Sequence, residues 1–275
     1  MRQLKPALVS VFTTGSLMAL ASLGASAQAA DNLVKNGGFE VNGGQGFVQW
    51  TGTPNPQVNV TTLADWINNH NIPAGSWGFN VITSVPYLQS TNYYYPGFWG
   101  VTPGYQNGNG FTASPNGGWF IASDGFDYRS PLEQTISDLE VGSTYTLSFN
   151  YAHAQEANVN GDTHQHWEVS FGSEGFSTPD VLLPSHGFRG WYTATNEFTA
   201  TSTSQILSFL AFGTNGLPPY LLLDGVSLTK NSVPVPPAPG PLPMIGLAAA
   251  YGWSSKLRRR IQASVGQRAA VFRHS

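Results

Sequence analysis

In Val141-Gly142-Ser143-Thr144-Tyr145-Thr146-Leu147-Ser148-Phe149-Asn150-Tyr151, polar and apolar residues alternate without a break from Thr144 onward. Tyr145, Leu147, Phe149 and Tyr151 fall on one face, and Thr144, Thr146, Ser148 and Asn150 on the other. A period of two over a stretch rich in aromatic and β-branched residues predicts an antiparallel strand buried on one side.

Working outward, His166 to Phe171 repeats the pattern with Trp167, Val169 and Phe171 inward, and Asn196–Ala200, Gln205–Phe212 and Leu221–Leu228 read as further strands separated by turn residues. Upstream, Leu132-Glu133-Gln134-Thr135-Ile136 is expected to pair with the strand after Gly142, and only Ala64 to Asn69 has a briefly helical look. Short strands joined by Gly and Asn turns predict an all-β fold, a single β-sandwich or jelly-roll domain over residues 30–231.

Composition agrees. The chain has 275 residues, only 10% of them charged and 13% aromatic, with 31 Gly, 19 Pro and no Cys. Without cysteine there is no disulfide framework, thiolate zinc site, iron–sulfur cluster or thiol nucleophile. Residues 31–232 hold all 15 Asp and Glu against Lys35, Arg129, Arg189 and Lys230, a net charge of −11. So acidic a zone repels phosphate backbones, which argues against nucleic acid as a partner.

Both ends are basic. Arg2 and Lys5 precede an apolar run from Ala7 to Leu23 and then Ala25-Ser26-Ala27-Gln28-Ala29-Ala30, which reads as a secretory signal peptide over 1–29 with A-x-A sites after Ala27 or Ala29. At the other end a Pro-rich spacer, 232–243, has six prolines in the ten residues from Pro234. It favours polyproline II. A short apolar segment follows, then Lys256-Leu257-Arg258-Arg259-Arg260 and a basic tail, 261–275. The expected helix over 244–260 is short for a membrane span, yet with the cations held inside it would keep the domain beyond the inner membrane.

Proline motif, apolar helix and arginine cluster, in that order after a signal peptide, resemble the PEP-CTERM sorting signal of exported bacterial proteins. The resemblance implies an exosortase-like membrane sorting enzyme as partner and an inner-membrane-tethered intermediate. It also implies a final place at the cell surface or in the extracellular matrix of a bacterium with an outer membrane. Two features depart from the usual pattern: Val233-Pro234-Val235-Pro236 replaces Val-Pro-Glu-Pro, and fifteen residues follow the arginines. An ordinary C-terminal anchor predicts the same topology.

Asn32-Leu33-Val34-Lys35-Asn36-Gly37-Gly38-Phe39-Glu40, the stretches Leu132–Leu139 and Gly142–Phe149, and Leu222-Leu223-Asp224-Gly225-Val226-Ser227-Leu228 occur in order. Together they resemble the galactose-binding-like jelly-roll modules common among carbohydrate-binding domains. In that family the first and last strands often close over a structural calcium ion. The matching positions are Gly38, Glu40 and Asp224, with Asp124 as a further candidate, and the alternative is that the carboxylates are solvated or satisfy turn amides.

Two groups of residues bear on function. Tyr87, Tyr93, Tyr94, Tyr95, Phe98, Trp99, Tyr105 and Phe111 crowd one loop region among prolines. Sugar rings present apolar C–H faces, so flat aromatics beside Asn and Asp make a glycan platform, and Trp99, Tyr95, Tyr94 and Tyr105 are the candidates. Such aromatics also order a long insertion by being buried. Asp162, His164, His166 and Glu168 alternate onto one strand face, and His153 is expected across a hairpin-sized loop. That set can bind a transition metal and activate water, or be a solvated outer face.

No nucleophile elbow, phosphate-binding glycine loop, H-E-x-x-H or dinucleotide fingerprint is present. Asp124, Asp127, Glu133 and Glu156 offer carboxylate pairs of unread separation. The expectation is an exported, non-catalytic jelly-roll module that binds glycan or exopolysaccharide, with a metal-dependent hydrolase or a purely structural surface protein as alternatives.

Overall fold

The computed structural model describes residues 31–49, 59–69, 79–92, 95–214 and 218–232, together with Lys256. The signal peptide, Tyr94 and nearly all of the spacer, sorting helix and tail lie outside the described residues. Among those described, no helix is long and apolar enough to cross a membrane. The chain divides after Asn231, and the first unit holds every strand among the described residues.

Among the described residues thirteen strands form two sheets. The first sheet contains β1 (Gly46–Val48), β2 (Val60–Thr61), β4 (Asn80–Ser84), β5 (Trp119–Asp124), β7 (Thr144–Gln155), β11 (Phe188–Thr199) and β13 (Pro219–Lys230). Its order is β11-β7-β13-β5-β4-β1-β2. The second contains β3 (Ile67–Asn68), β6 (Leu132–Ile136), β8 (Thr163–Phe171), β10 (Val181–Leu183) and β12 (Gln205–Gly213), in the order β10-β8-β12-β6-β3. Strand β9 (Glu174–Ser177) pairs with β8. From β5 to β8 each strand enters the sheet opposite to its predecessor, and β11, β12 and β13 do the same, an alternation that makes the fold a sandwich rather than a chain of hairpins.

Periodicity reads the buried faces correctly. Tyr145, Leu147, Phe149 and Tyr151 of β7 face Trp167, Val169 and Phe171 of β8 across one apolar core, with Phe209 edge-on to Phe149 at 5.1 Å. Two local expectations need correction. Leu132–Ile136 does not pair with β7: β6 lies in the second sheet between β12 and β3. The segment Ala64–Asn69 is not helical: Asp65 takes φ 66°, Trp66 is buried with its indole N–H donating to the Asn36 carbonyl at 3.1 Å, and Ile67 and Asn68 form β3. Within the sandwich the described residues include a single helical turn, α1 (Val85–Leu88), which Pro86 opens.

The two ends of the sandwich chain meet. Asn32 bridges Thr229, Leu33 N–H donates to Leu228 O at 2.8 Å, and Val226 N–H to Gly37 O at 2.9 Å. A buried polar knot of Asn68, Asn80, Ser123 and Ser130 ties β3, β4 and β5 together, with Asn80 Nδ2 donating to Asn68 Oδ1 at 3.0 Å and to Ser130 O at 2.9 Å.

Candidate functional site

The aromatic insertion between β4 and β5 lies on the outer face of the first sheet. There Leu88, Phe98 and Val101 pack on Phe120, Ala122, Ala152, Ala154, Tyr220 and Leu222 in a second core. Backbone bonds stitch the insertion to the exit of β7: Trp99 N–H to Gln155 O at 3.1 Å and Ala157 N–H to Gly97 O at 2.8 Å, with Phe98 bridging Glu156. Phe98 is fully buried, stacked near Phe111 and edge-on to Tyr220 at 5.2 Å. Phe98 therefore does the ordering work, which leaves Trp99 and Tyr105 half-buried and Tyr95 38% exposed.

Trp99 and Tyr105 belong to one cluster. The Trp99 ring stacks on His186 at 3.8 Å, Tyr105 meets it edge-on at 5.2 Å, and its indole N–H donates to Val159 O at 2.9 Å. Amides surround these rings. Asn109 Nδ2 donates to Trp99 O at 3.1 Å and to His186 O at 2.9 Å, Asn107 Nδ2 to His186 O at 3.0 Å, and His186 Nε2 lies 2.6 Å from Asn160 Oδ1. A flat aromatic unit of fixed rotamer rimmed by amides is what recognises the apolar face and hydroxyl edge of a sugar. His186 and Asn160 carry no sequence signal, since the loop before β11 and the exit of β7 supply them from far along the chain.

Tyr95 belongs to a different cluster. Its ring packs against Phe79 at 6.0 Å and Phe47 at 6.5 Å, and Tyr128, itself exposed, packs on Phe79 at 4.5 Å. The Tyr95 hydroxyl donates to Glu156 Oε2 at 2.9 Å and accepts from the Tyr220 hydroxyl at 3.5 Å. Tyr220 stands directly opposite Asp124 in the β5–β13 ladder, so their side chains share the outer face. Asp124 is 1% exposed. Its Oδ1 accepts Phe126 N–H at 2.7 Å, while Oδ2 is buried with no hydrogen-bond partner.

Burial pushes the Asp124 carboxyl up to about 6, with Asp127 adding to the rise and Arg129 opposing it. Burial likewise pushes Glu156 up to about 7, aided by the Asp124 charge, and holds Tyr95 and Tyr220 well above the ordinary phenol range. Two carboxyls with raised proton affinity beneath an exposed tyrosine therefore form a second polar centre.

At the closure of the chain ends, Asp224 is fully buried and accepts from Ser114 Oγ and from Gly225 N–H at 2.6 Å. Burial pushes it up to about 6, and the Glu40 charge adds to that. Glu40 Oε1 accepts Trp119 N–H at 2.8 Å. Both groups offer carboxylate oxygens, the ligand type that calcium takes, and the Glu40 charge acts on Asp224. Each carboxylate also has protein donors, so an ion there would act by relieving their repulsion. Asp124 is not part of this set: it pairs with Tyr220, four positions along β13, about 13 Å at 3.3 Å per residue.

The expected transition-metal set does not assemble. His153 is fully buried on the inner face of β7, in the sheet opposite β8, and burial pushes it down to about 4. His164 and His166 stand on the outer face of β8. Asp180, unforeseen from sequence, pairs with them at 2.7 Å and 3.2 Å, while Asp162 instead caps Ser185 N–H at 2.8 Å. Among the described residues no group of three His, Cys, Asp or Glu side chains is arranged to hold a metal ion. His166 instead stacks on Phe212 at 5.1 Å, and the Arg129 guanidinium lies over the same ring at 4.1 Å. Nearby, Glu168, Ser170, Phe176, Ser208 and Leu210 line a hollow of about 410 Å³.

No family model matches the chain, and no curated protein matches it. Solved structures are similar to it at low identity. TmCBM61 in complex with β-1,4-galactotriose is 14% identical, covering 74% of this chain and 100% of that one at a TM-score of 0.37. The CBM22-1 xylan-binding domain from Paenibacillus barcinonensis Xyn10C is 11% identical over 76% and 99%, also at 0.37. A CBM4 structure is 15% identical over 72% and 99% at 0.35.

Proposed function

We propose that the chain is a non-catalytic, galactose-binding-like jelly-roll module that binds glycan or matrix polymer at the aromatic insertion. One observation carries this reading: Trp99 is half-exposed and locked between His186 and Tyr105, with Asn107, Asn109 and Asn160 around it. Burial of Phe98 already accounts for the ordering of the loop, so the partial exposure of Trp99, Tyr105 and Tyr95 is left over for recognition. A glycan array read with the full chain and its Trp99→Ala and Tyr95→Ala variants tests it. Loss of signal in either variant is expected, and binding that survives both removes the platform.

The same reading includes a calcium ion at Glu40 and Asp224, and export by the signal peptide with sorting by the PEP-CTERM-type tail through an exosortase-like enzyme to the cell surface or matrix. Export and sorting rest on the order of basic, apolar and proline-rich segments in the sequence. The intact mass of the exported protein tests the sorting step. A mass lacking the basic tail is expected, and one retaining Ser275 rejects processing.

A further inference from the structure

Resting on the glycan reading, one centre narrows the class of glycan. The Tyr95 cluster holds two acidic side chains on one outer sheet face. Register places Tyr220 opposite both Asp124 and Ala154, and Glu156 follows two residues after Ala154 on the same side. The charged and titratable groups acting on the pair are Tyr95, Tyr220, Asp127 and Arg129. Of these only Arg129 is a cation, and its guanidinium lies over the Phe212 ring. Asp124 Oδ2 is buried without a hydrogen-bond partner, although the Phe126 and Asp127 backbone N–H groups both act on the carboxyl. A buried carboxylate oxygen without a partner is costly unless a proton or a cation meets it.

Access is provided on one side. Glu156 keeps 9% of its surface exposed, beside the 38%-exposed Tyr95, whose ring packs on Phe79, which in turn carries the exposed Tyr128. A cation entering there would meet the Glu156 carboxylate and the Tyr95 oxygen, with the Asp124 charge acting on the same carboxylate. The sugar ring bearing that cation would lie against Tyr95. The net charge of −11 over residues 31–232 draws cationic polymers towards the domain from a distance.

We propose that Glu156, with Tyr95 beside it and Asp124 behind it, receives the ammonium group of an amino sugar, so that the glycan held by this module is a cationic, amino-bearing one. An ammonium offers three donors, and one charge-assisted hydrogen bond to a partly buried carboxylate suffices for a preference of about tenfold over the acetamide form of the same sugar.

The test is calorimetric titration of the full chain with a β-1,4-linked glucosamine oligomer and with its fully N-acetylated counterpart, near neutral pH and at low salt. The free-amine oligomer is expected to bind about tenfold more tightly. Glu156→Gln, an isosteric change, should erase that preference, with its melting temperature confirming a folded protein. Asp124→Asn serves as a second variant and should reduce the preference. Equal affinity for the two oligomers overturns the inference, and so does a preference that survives in folded Glu156→Gln. If binding is equal and still falls in Trp99→Ala, glycan recognition stands without amine selectivity. If neither oligomer nor any glycan of an array binds, the function itself fails.

Discussion

The Tyr95 hydroxyl donates to Glu156 Oε2 at 2.9 Å across a sequence separation of 61 residues, and it pins the start of the aromatic insertion to the exit of β7. Removing the donor leaves a carboxyl in a mostly apolar setting with one partner fewer. Tyr95→Phe keeps the ring contacts with Phe47 and Phe79, so the cost isolates the hydroxyl. A loss of about 1 kcal/mol in denaturant unfolding is expected. No change would mean that the bond does not hold the insertion down.

The pH dependence of stability follows from four buried groups. Asp124 and Asp224 rise to about 6 and Glu156 to about 7, from ordinary values of 3.8 and 4.5. Between the ordinary and raised values the native state binds more protons than the unfolded chain. Their contribution is therefore complete below about pH 4 and lost as pH rises through 6 to 7. His153, pushed down from 6.5 to about 4, acts oppositely: its contribution is present above about 6.5 and lost as pH falls through 4. Three groups outweigh one. The melting temperature should fall between about pH 5 and pH 8 in chelator, and a rise over that range would contradict the raised carboxyls.

Calcium should reverse part of that fall. An ion at Glu40 and Asp224 binds the ionised pair, and at a hundredfold excess over its dissociation constant it adds about 2.7 kcal/mol. Melting curves with calcium and with chelator measure the increment. It should vanish in Asp224→Asn and in Glu40→Gln, and identical curves for the unmodified protein would dismiss the ion.

Two neighbouring glycines give a controlled packing test. A Cβ on Gly37 would sit 2.0 Å from the Val226 carbonyl oxygen, across the contact where the chain ends meet. One on Gly38 would meet only Glu40 Cγ, at 3.9 Å. Gly37→Ala should cost about 1–3 kcal/mol, since backbone has to move, whereas Gly38→Ala should stay within about 0.5 kcal/mol. Equal effects would show that the closure is loose.

The site was partly legible. Trp99, Tyr105 and Tyr95 stand out because aromatics are dense there, yet the sequence gives no sign that Tyr95 parts from Trp99 to join Glu156, Tyr220 and Asp124. His186 and Asp180 escape notice for the same reason, since each reaches its partner from a loop whose landing point no local pattern encodes. The helical look of Ala64–Asn69 misleads because buried Trp66 is set by a turn through left-handed Asp65, which spaces apolar residues much as a helix does.

The sequence by itself determined which face of β7 and β8 is buried, because alternation is a property of successive residues and the pleat enforces it wherever one face meets a core. Only the tertiary structure decided which sheet each strand joins. It sent Leu132–Ile136 to the second sheet, set His153 facing inward in one sheet with His164 and His166 outward in the other, and placed two carboxyls beneath Tyr95. The reason is physical: pairing across a sandwich is chosen by contacts between distant segments and the closure of the loops between them, and neither is written in any short stretch of chain.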